Sequence, residues 1–265
     1  MSRKYLYPLF MLIAVLLIYW AERYLDQRER QPLIEEGKIL KSTTHTTWLP
    51  SSTTGQIVHH EYYSLSYSEP HEQAEWVAYE LRREHLSDED RKRPYFEVDL
   101  AVPSGAAHWR NYKNSGYDRG HLCPAGDRRF SKEAYDETFL TSNISPQRND
   151  FNAGIWNRLE IQTRRWARKY KKLFVVTGGV LTGGLEEIGE EGVDVPEQYY
   201  KIILNPQESN PRMVAFLIDH QESNQPLSAF VVSVDEIEEL TGIDFFAQMD
   251  DDLEQQLERS STYWK

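Results

Sequence analysis

The spacing of apolar residues changes character several times along the chain, and each change marks a segment. From Tyr5 to Ala21 there is no charge, and Leu6 to Trp20 is almost continuously apolar. That length is at the short end of what crosses roughly 30 Å of hydrocarbon. Tyr5 and Tyr7 at one end, with Tyr19 and Trp20 at the other, have the placement of interfacial aromatic belts. Arg3 and Lys4 would also suit a secretory signal, but Glu22-Arg23-Tyr24-Leu25 offers no small-residue cleavage site. The pattern therefore predicts a membrane anchor within residues 1–25, with 5–21 in the membrane. Residues 26–55 carry no sustained apolar period and are rich in Ser and Thr, as a polar tether would be. The folded domain is expected over residues 56–265.

Within that domain the period is mostly two. Tyr63, Leu65 and Tyr67 alternate with Ser64 and Ser66, the pattern of a half-buried strand. Trp76–Leu81, Phe96–Val102, Leu173–Thr177, Tyr199–Leu204, Met213–Ile218 and Ser228–Val232 are further strand candidates, rich in β-branched and aromatic residues. Ser233 with Glu236 forms a capping box before a helix over Val234–Leu240, and Gly242 stands where that helix should stop. The longest helical pattern runs from Phe151 to Lys172 without a proline, with Asn149 or Asp150 available to cap it. Advancing about 100° per residue from Asn152 puts Ile155, Leu159, Trp166 and Tyr170 on one stripe. Trp156, Glu160 and Arg164 then form a row on the other side of Asn152, and Arg158, Arg165, Arg168, Lys169 and Lys172 form a cationic back. Strands that outnumber helices, packed against one long helix, make an α+β fold with a central mixed or antiparallel sheet.

Charge sharpens the picture. The chain of 265 residues has a formal net charge of -12, which argues against a general nucleic-acid coat. Yet His108–Lys172 holds 14 Lys or Arg against 7 Asp or Glu, whereas Leu173–Lys265 holds 4 against 19. A polyanion would be drawn to the centre and repelled from the C-terminal third, which reads either as an acidic tail or as a docking surface for a partner. The single cysteine, Cys123, excludes an internal disulfide framework and suits a small buried packing position. His59 and His60 are adjacent, so on a strand they face opposite ways. No His-Glu-x-x-His or paired-cysteine motif supports zinc.

The basic centre contains Tyr117-Asp118-Arg119-Gly120-His121 and, farther on, Asn149-Asp150-Phe151-Asn152-Ala153-Gly154-Ile155-Trp156-Asn157-Arg158-Leu159-Glu160. Together these supply a base, a cationic anion-binder, a neutral oxygen ligand and a carboxylate, the parts that metal-assisted phosphodiester hydrolysis needs. On helix spacing alone, Glu160 and Arg164 are an i,i+4 surface ion pair worth a few tenths of a kcal/mol. Asp118-Arg119-Gly120-His121, Thr141-Ser142-Asn143-Ile144-Ser145-Pro146-Gln147 and Asn152-Ala153-Gly154-Ile155-Trp156 with Arg158-Leu159-Glu160 strongly resemble the DNA/RNA non-specific endonucleases. These are the ββα-metal (His-Me finger) nucleases, which include mitochondrial endonuclease G and secreted bacterial enzymes. The order and spacing match across this block. Weaker likeness runs from about residue 55 to the C-terminus, and the N-terminal anchor lies outside it.

The resemblance implies a ββα-metal fold in which the long helix carries the metal site. It makes His121 the general base and Asn152 the side chain that holds one Mg²⁺, with Mn²⁺ as a substitute. Glu160 takes the place of the residue that holds a metal-bound water, Arg119 that of a phosphate clamp, and Asn143 that of a residue supporting the site. Arg164 and Arg91 resemble further phosphate-binding arginines. The chemistry agrees: a histidine of pKa near 6.5 accepts a proton at neutral pH, and a neutral amide oxygen suits a hard ion that keeps most of its waters. The implied substrates are DNA, RNA or both. Two other classes fit parts of the pattern, a silent membrane-tethered nucleic-acid-binding module and a scaffold with an acidic C-terminal part; a metal-dependent nicking assay separates both from an enzyme. An anchored nuclease endangers its own cytoplasm, so the domain is expected outside it, in a bacterial periplasm or a mitochondrial intermembrane space. The sequence leaves open whether the chain forms a homodimer, as several relatives do.

Overall fold

The computed structural model describes residues 48–207 and 210–264. The apolar segment 5–21 lies outside them; among the described residues no helix is long and apolar enough to cross a membrane. Packing begins earlier than the apolar pattern suggests. Trp48 and Leu49 lie against the core, Ser51 N–H donates to Asp244 O at 2.7 Å, and Trp76 Nε1 donates to Ser51 O at 2.8 Å. Residues 48–55, expected at the end of a tether, are thus built into the domain.

Seven antiparallel strands form the main sheet, in the spatial order β1 (Ile57–His59), β2 (Ser64–Ser68), β3 (Gln73–Arg82), β6 (Lys172–Gly179), β9 (Gln198–Asn205), β10 (Arg212–Asp219) and β11 (Val231–Val232), while β4 (Asp118–His121) with β5 (Ile144–Gln147) and β7 (Glu186–Ile188) with β8 (Val193–Val195) form two separate ribbons. Its central strands are buried on both faces, which is why their apolar residues run nearly without interruption. Val77, Tyr79 and Leu81 of β3, with Leu173 and Val175 of β6 and Val214 and Phe216 of β10, point to one side. There they meet Phe151, Ile155, Trp156, Leu159, Trp166 and Ala167 of the long helix. Trp76, Phe174, Val176, Ile202, Met213 and Ala215 point to the other. That face is covered by the C-terminal third: Val234, Ile237, Ile243, Phe245, Phe246, Met249 and Leu257. The acidic segment expected as a solubilising tail or docking scaffold is therefore a structural layer, with its apolar residues on the sheet.

Its helices Val234–Thr241 and Asp251–Glu258 begin at side-chain caps. Ser233 Oγ accepts from Glu236 N–H at 3.2 Å, and Asp250 Oδ1 accepts from Leu253 N–H at 3.3 Å. Gly242 closes the first of them in the left-handed region at φ 70°, as its position in the sequence predicts.

Two expected strands are corrected. Phe96–Val102 contributes only a parallel bridge, Glu97 to Leu140. The reason is Asp99, which is buried and draws the backbone into a side-chain network: it accepts from Ala101 N–H at 2.9 Å, pairs with His60 Nε2 at 2.8 Å, and accepts from Ser142 Oγ. In Ser228–Val232 a 3₁₀ turn, Leu227–Phe230, takes most of the segment, leaving β11 only two residues.

Candidate active site

A two-stranded ribbon leads into the long helix. β4 (Asp118–His121) pairs antiparallel with β5 (Ile144–Gln147), with Gly120 opposite Ser145 and His121 opposite Ile144. Gly120 has no alternative there, because a Cβ would come within 2.2 Å of the buried Gln147 side chain. Strand alternation then puts Arg119 and His121 on the same face. After β5 the chain passes Arg148 and turns at once into helix, so strand, strand and helix come together at one point.

That helix is not the uniform one its pattern predicts. A turn over Asn149–Phe151 passes into a π-turn, Asn152–Trp156, before regular helix resumes over Asn157–Tyr170. Gly154 sits at φ -96°, ψ -110°, outside helical values. A carboxylate fills the opening: Glu222 Oε2 accepts from Ile155 N–H at 2.9 Å, and a Cβ on Gly154 would come within 1.7 Å of the same oxygen. Arg158, expected on the cationic back, donates instead to Ser223 O and Gln225 O, pinning the loop that supplies Glu222. Neither Asn149 nor Asp150 caps the helix; its cap is Arg148, with no side-chain bond.

The opening of the ribbon onto this helix forms a groove of about 590 Å³ lined by Arg93, Tyr117, Asp118, Arg119, His121, Ala125, Tyr135, Phe139, Asn149 and Asn152. Of the residues singled out in the sequence, the groove gathers Arg119, His121 and Asn152. A neighbouring groove of about 580 Å³ shares Tyr117 but carries Glu186, Glu197 and Asp219, an unsuitable lining for a phosphate.

His121 packs its ring edge-on to Phe139, with centroids 4.9 Å apart, and beside Phe96 at 5.5 Å. Its Nε2 is buried without a hydrogen-bond partner. Burial first, and then the Arg93 guanidinium, push its pKa down to about 4, so the imidazole is neutral at physiological pH, the form that can accept a proton. Arg119 lies among Phe96, Trp109 and Tyr112, its guanidinium 5.4, 5.6 and 5.8 Å from their ring centres, and donates to Trp109 O at 3.1 and 3.3 Å. Arg93 lies over Phe96 and Phe139 at 5.4 and 5.6 Å. Two guanidiniums thus face one groove, and among the described residues no carboxylate forms an ion pair with either, Asp118 acting on Arg119 only at longer range.

Asn152 is oriented by a neighbour. Asp118 Oδ2 accepts from Asn152 Nδ2 at 3.0 Å and from Asn149 Nδ2 at 2.9 Å. With its amide N–H₂ committed, Asn152 offers its carbonyl oxygen as a donor atom to a cation. A hard divalent ion that retains most of its waters fits such a site, with one neutral oxygen and an acidic neighbour at hydrogen-bond distance.

The remaining predicted residues lie elsewhere. Asn143 is buried beneath the ribbon: its Oδ1 accepts from Cys123 N–H at 2.8 Å, and its Nδ2 donates to Cys123 O at 3.0 Å and Thr138 O at 2.9 Å. Cys123 is buried beside it, its thiol pushed up to about 12 by burial, as befits a packing residue. Glu160 and Arg164 line no part of the groove. Arg164 Nη1 pairs with Asp127 at 2.9 Å and with Glu160 at 3.7 Å, just behind Gly126. This is a half-buried network rather than a surface pair, and it includes Lys201, whose Nζ is buried and lies 4.9 Å from the Trp156 ring. Burial raises the Glu160 carboxyl to about 7 against the opposing pull of Lys201 and Arg164. Arg91 is turned away, bonded to Glu89 and Arg129 O. Sequence reasoning chose Arg91 and passed over Arg93 and Asp118; the place of Asp118 within the quoted motif was the available signal.

Comparison with known proteins agrees with this geometry. Residues 41–252 match the model of the DNA/RNA non-specific endonuclease family. The mitochondrial nuclease EXOG of Mus musculus is 35% identical over 206 residues, covering 71% of this chain and 56% of the relative, so the chain spans little more than half of that protein's length. A nuclease of Nostoc sp. is 31% identical over 242 residues, covering 87% of each chain. Among solved structures, EndoG in its complex with EndoGI superposes with a TM-score of 0.69 at 32% identity, over 73% of this chain and 86% of that one.

Proposed function

This chain belongs to the DNA/RNA non-specific endonuclease family, and we propose on that premise that it is a metal-dependent endonuclease cutting DNA, RNA or both. The observation that carries the reading is the groove itself. A histidine kept neutral by burial stands beside two guanidiniums and an asparagine whose amide is fixed by Asp118. In this reading Arg93 and Arg119 hold non-bridging phosphate oxygens, as planar donors suited to that geometry. His121, unprotonated across the neutral range, takes a proton from the attacking water. Asn152 Oδ1 would hold a single Mg²⁺ or Mn²⁺; when bound, the ion offsets charge on the phosphoryl group and the departing oxygen. Asn143 holds the chain behind His121, and the Glu160–Arg164–Asp127 network supports the helix wall rather than touching substrate. Residues 5–21 would anchor the enzyme to a membrane, with this domain outside the cytoplasm.

The test is nicking of supercoiled plasmid and cleavage of a matched RNA by the wild-type chain, His121→Ala and Asn152→Ala. Cleavage that EDTA stops, Mg²⁺ restores, and both variants lose while retaining their circular dichroism is the expected result. Unimpaired cleavage by His121→Ala would sink the assignment of the base. Full activity in excess chelator would remove the metal and, with it, the role given to Asn152.

A further inference from the structure

Far from the groove, on the opposite face of the main sheet, three carboxylates converge. Asp235 and Glu238 stand on the helix Val234–Thr241, and Glu258 ends the helix Asp251–Glu258. One oxygen from each lies within 4.8 Å of the other two. An acidic cluster in solvent needs no explanation, but here Asp235 and Glu238 are half-buried and Glu258 is buried. Glu258 is 6% exposed, and its Oε1 is buried without a hydrogen-bond partner. Glu254 Oε1, one turn earlier, is likewise buried and unpartnered. Burial first, and then the carboxylates of Glu238, Glu254, Asp235 and Asp244, raise the Glu258 carboxyl to about 8. Among the described residues no lysine, arginine or histidine pairs with Asp235, Glu238 or Glu258, and Glu238 Oε1 accepts only from Phe245 N–H at 3.0 Å.

A buried carboxylate that finds neither donor nor counter-ion is costly to keep. A cation supplies both needs. We propose that Asp235, Glu238 and Glu258 form a binding site for one calcium-class divalent cation, separate from the catalytic groove. The donor set favours calcium over magnesium, because Mg²⁺ keeps most of its waters and takes one or two carboxylates, whereas Ca²⁺ accepts several carboxylate oxygens together with water.

The position gives the ion a purpose in the fold. It would join the two helices that close the second core, and the chain beyond Glu258 runs on to Trp264. Trp264 packs on Trp166 of the long helix with ring centroids 5.2 Å apart, and its Nε1 donates to Met213 O at 3.3 Å. The cation thus fastens the C-terminal arm that lies against the back of the long helix.

The experiment uses the full-length chain carrying Asn152→Ala, so that no ion is counted in the groove, and titrates chelator-treated protein with CaCl₂ and, separately, MgCl₂. Calorimetry should find one Ca²⁺ per chain and weaker Mg²⁺. The melting temperature should rise by on the order of 5–10 °C at a hundredfold excess of Ca²⁺ over its dissociation constant. Glu258→Gln and, independently, Asp235→Asn should weaken Ca²⁺ binding at least tenfold while keeping the parent's circular dichroism. Absence of stoichiometric Ca²⁺ binding overturns the proposal. So does binding that both variants leave unchanged. A melting temperature raised by Glu258→Gln without added metal, in a parent that binds none, would show that the carboxylates share a proton instead of an ion.

Discussion

Replacing Asn143 by alanine should damage both stability and activity, and the structure gives the size of the effect. The side chain is fully buried and makes three hydrogen bonds, all to backbone groups: Cys123 N–H, Cys123 C=O and Thr138 C=O. Alanine leaves those three groups without their partner in a site closed to bulk water. A buried polar group stripped of its partner costs about 1–3 kcal/mol. Three of them, partly relaxed, amount to roughly 3–6 kcal/mol, a large share of the about 5–15 kcal/mol by which a domain is stable. For a chain of this size the melting temperature should fall by on the order of 10–15 °C. Activity should fall as well, because the lost side chain fixes the backbone of Cys123, two residues after His121, through Cys123 N–H and C=O. Calorimetry gives the first quantity, and plasmid nicking at 15 °C, where the variant stays folded, gives the second. Asn143→Asp makes the test sharper. It keeps an acceptor for Cys123 N–H but loses both donors and sets a carboxylate against two carbonyl oxygens, so it should be at least as harmful as alanine. An alanine variant that melts within 3 °C of wild type, or an aspartate variant milder than alanine, would refute the reasoning.

The remaining expectations concern the groove and its surroundings. His121 has a folded pKa near 4 against 6.5 unfolded, so the native state binds fewer protons between those values; stability should be fully present above pH 6.5 and decline as pH falls toward 4, by at most about 3 kcal/mol from this residue. The acid limb of kcat/KM should correspondingly lie below pH 5, and a limb near 6.5 would show that burial does not control this base. Arg93→Ala should lower kcat/KM by roughly a hundredfold, on the scale of losing one oxyanion donor, whereas Arg91→Ala should change it less than threefold; the reverse ranking would exclude Arg93 from the phosphate site. Replacing Arg165, Arg168, Lys169 and Lys172 together with Gln should leave KM and its salt dependence unchanged, because none of the four lines the groove and Lys172 pairs with Glu80; a salt slope flattened by about one per residue would place the substrate on that face instead.

What the sequence could show depended on how local each cause was. The strands of the main sheet were legible because their burial is written into consecutive apolar residues: β3, β6, β9 and β10 each contain the stretch expected of them. The helix after Ser233 was legible because its cap and its closing glycine are neighbours in the chain. Phe96–Val102 was misread because its backbone follows Asp99 toward His60, 39 residues earlier, and Ser142, 43 residues later. Arg91 and Arg93 are indistinguishable by pattern, being two residues apart in one loop. Only the rings of Phe96 and Phe139 decide which of them turns into the groove. The acidic third looked like a tail because charge is conspicuous in a count and the apolar residues between the charges are not.

The helix wheel failed for a reason that bears on the chemistry. It carries the phase of Asn152 forward at a constant 100° per residue, which joins Asn152, Glu160 and Arg164 into one row. The π-turn interrupts that phase, since a wider turn spreads one rotation over more residues than the constant step assumes. Its cause lies in a residue 68 positions beyond Gly154, Glu222, whose carboxylate takes the Ile155 N–H. No reading of the helix alone could supply it. The consequence is a division of labour along one helix. At the start of the turn, Asn152 faces the groove with His121 and is steadied by Asp118. At its end Trp156 joins the core, and beyond it Glu160 and Arg164 are directed to Asp127 behind the groove. A regular helix could present one of these arrangements or the other. The break lets a single element present an amide to the reaction site and a charged network to the wall that supports it.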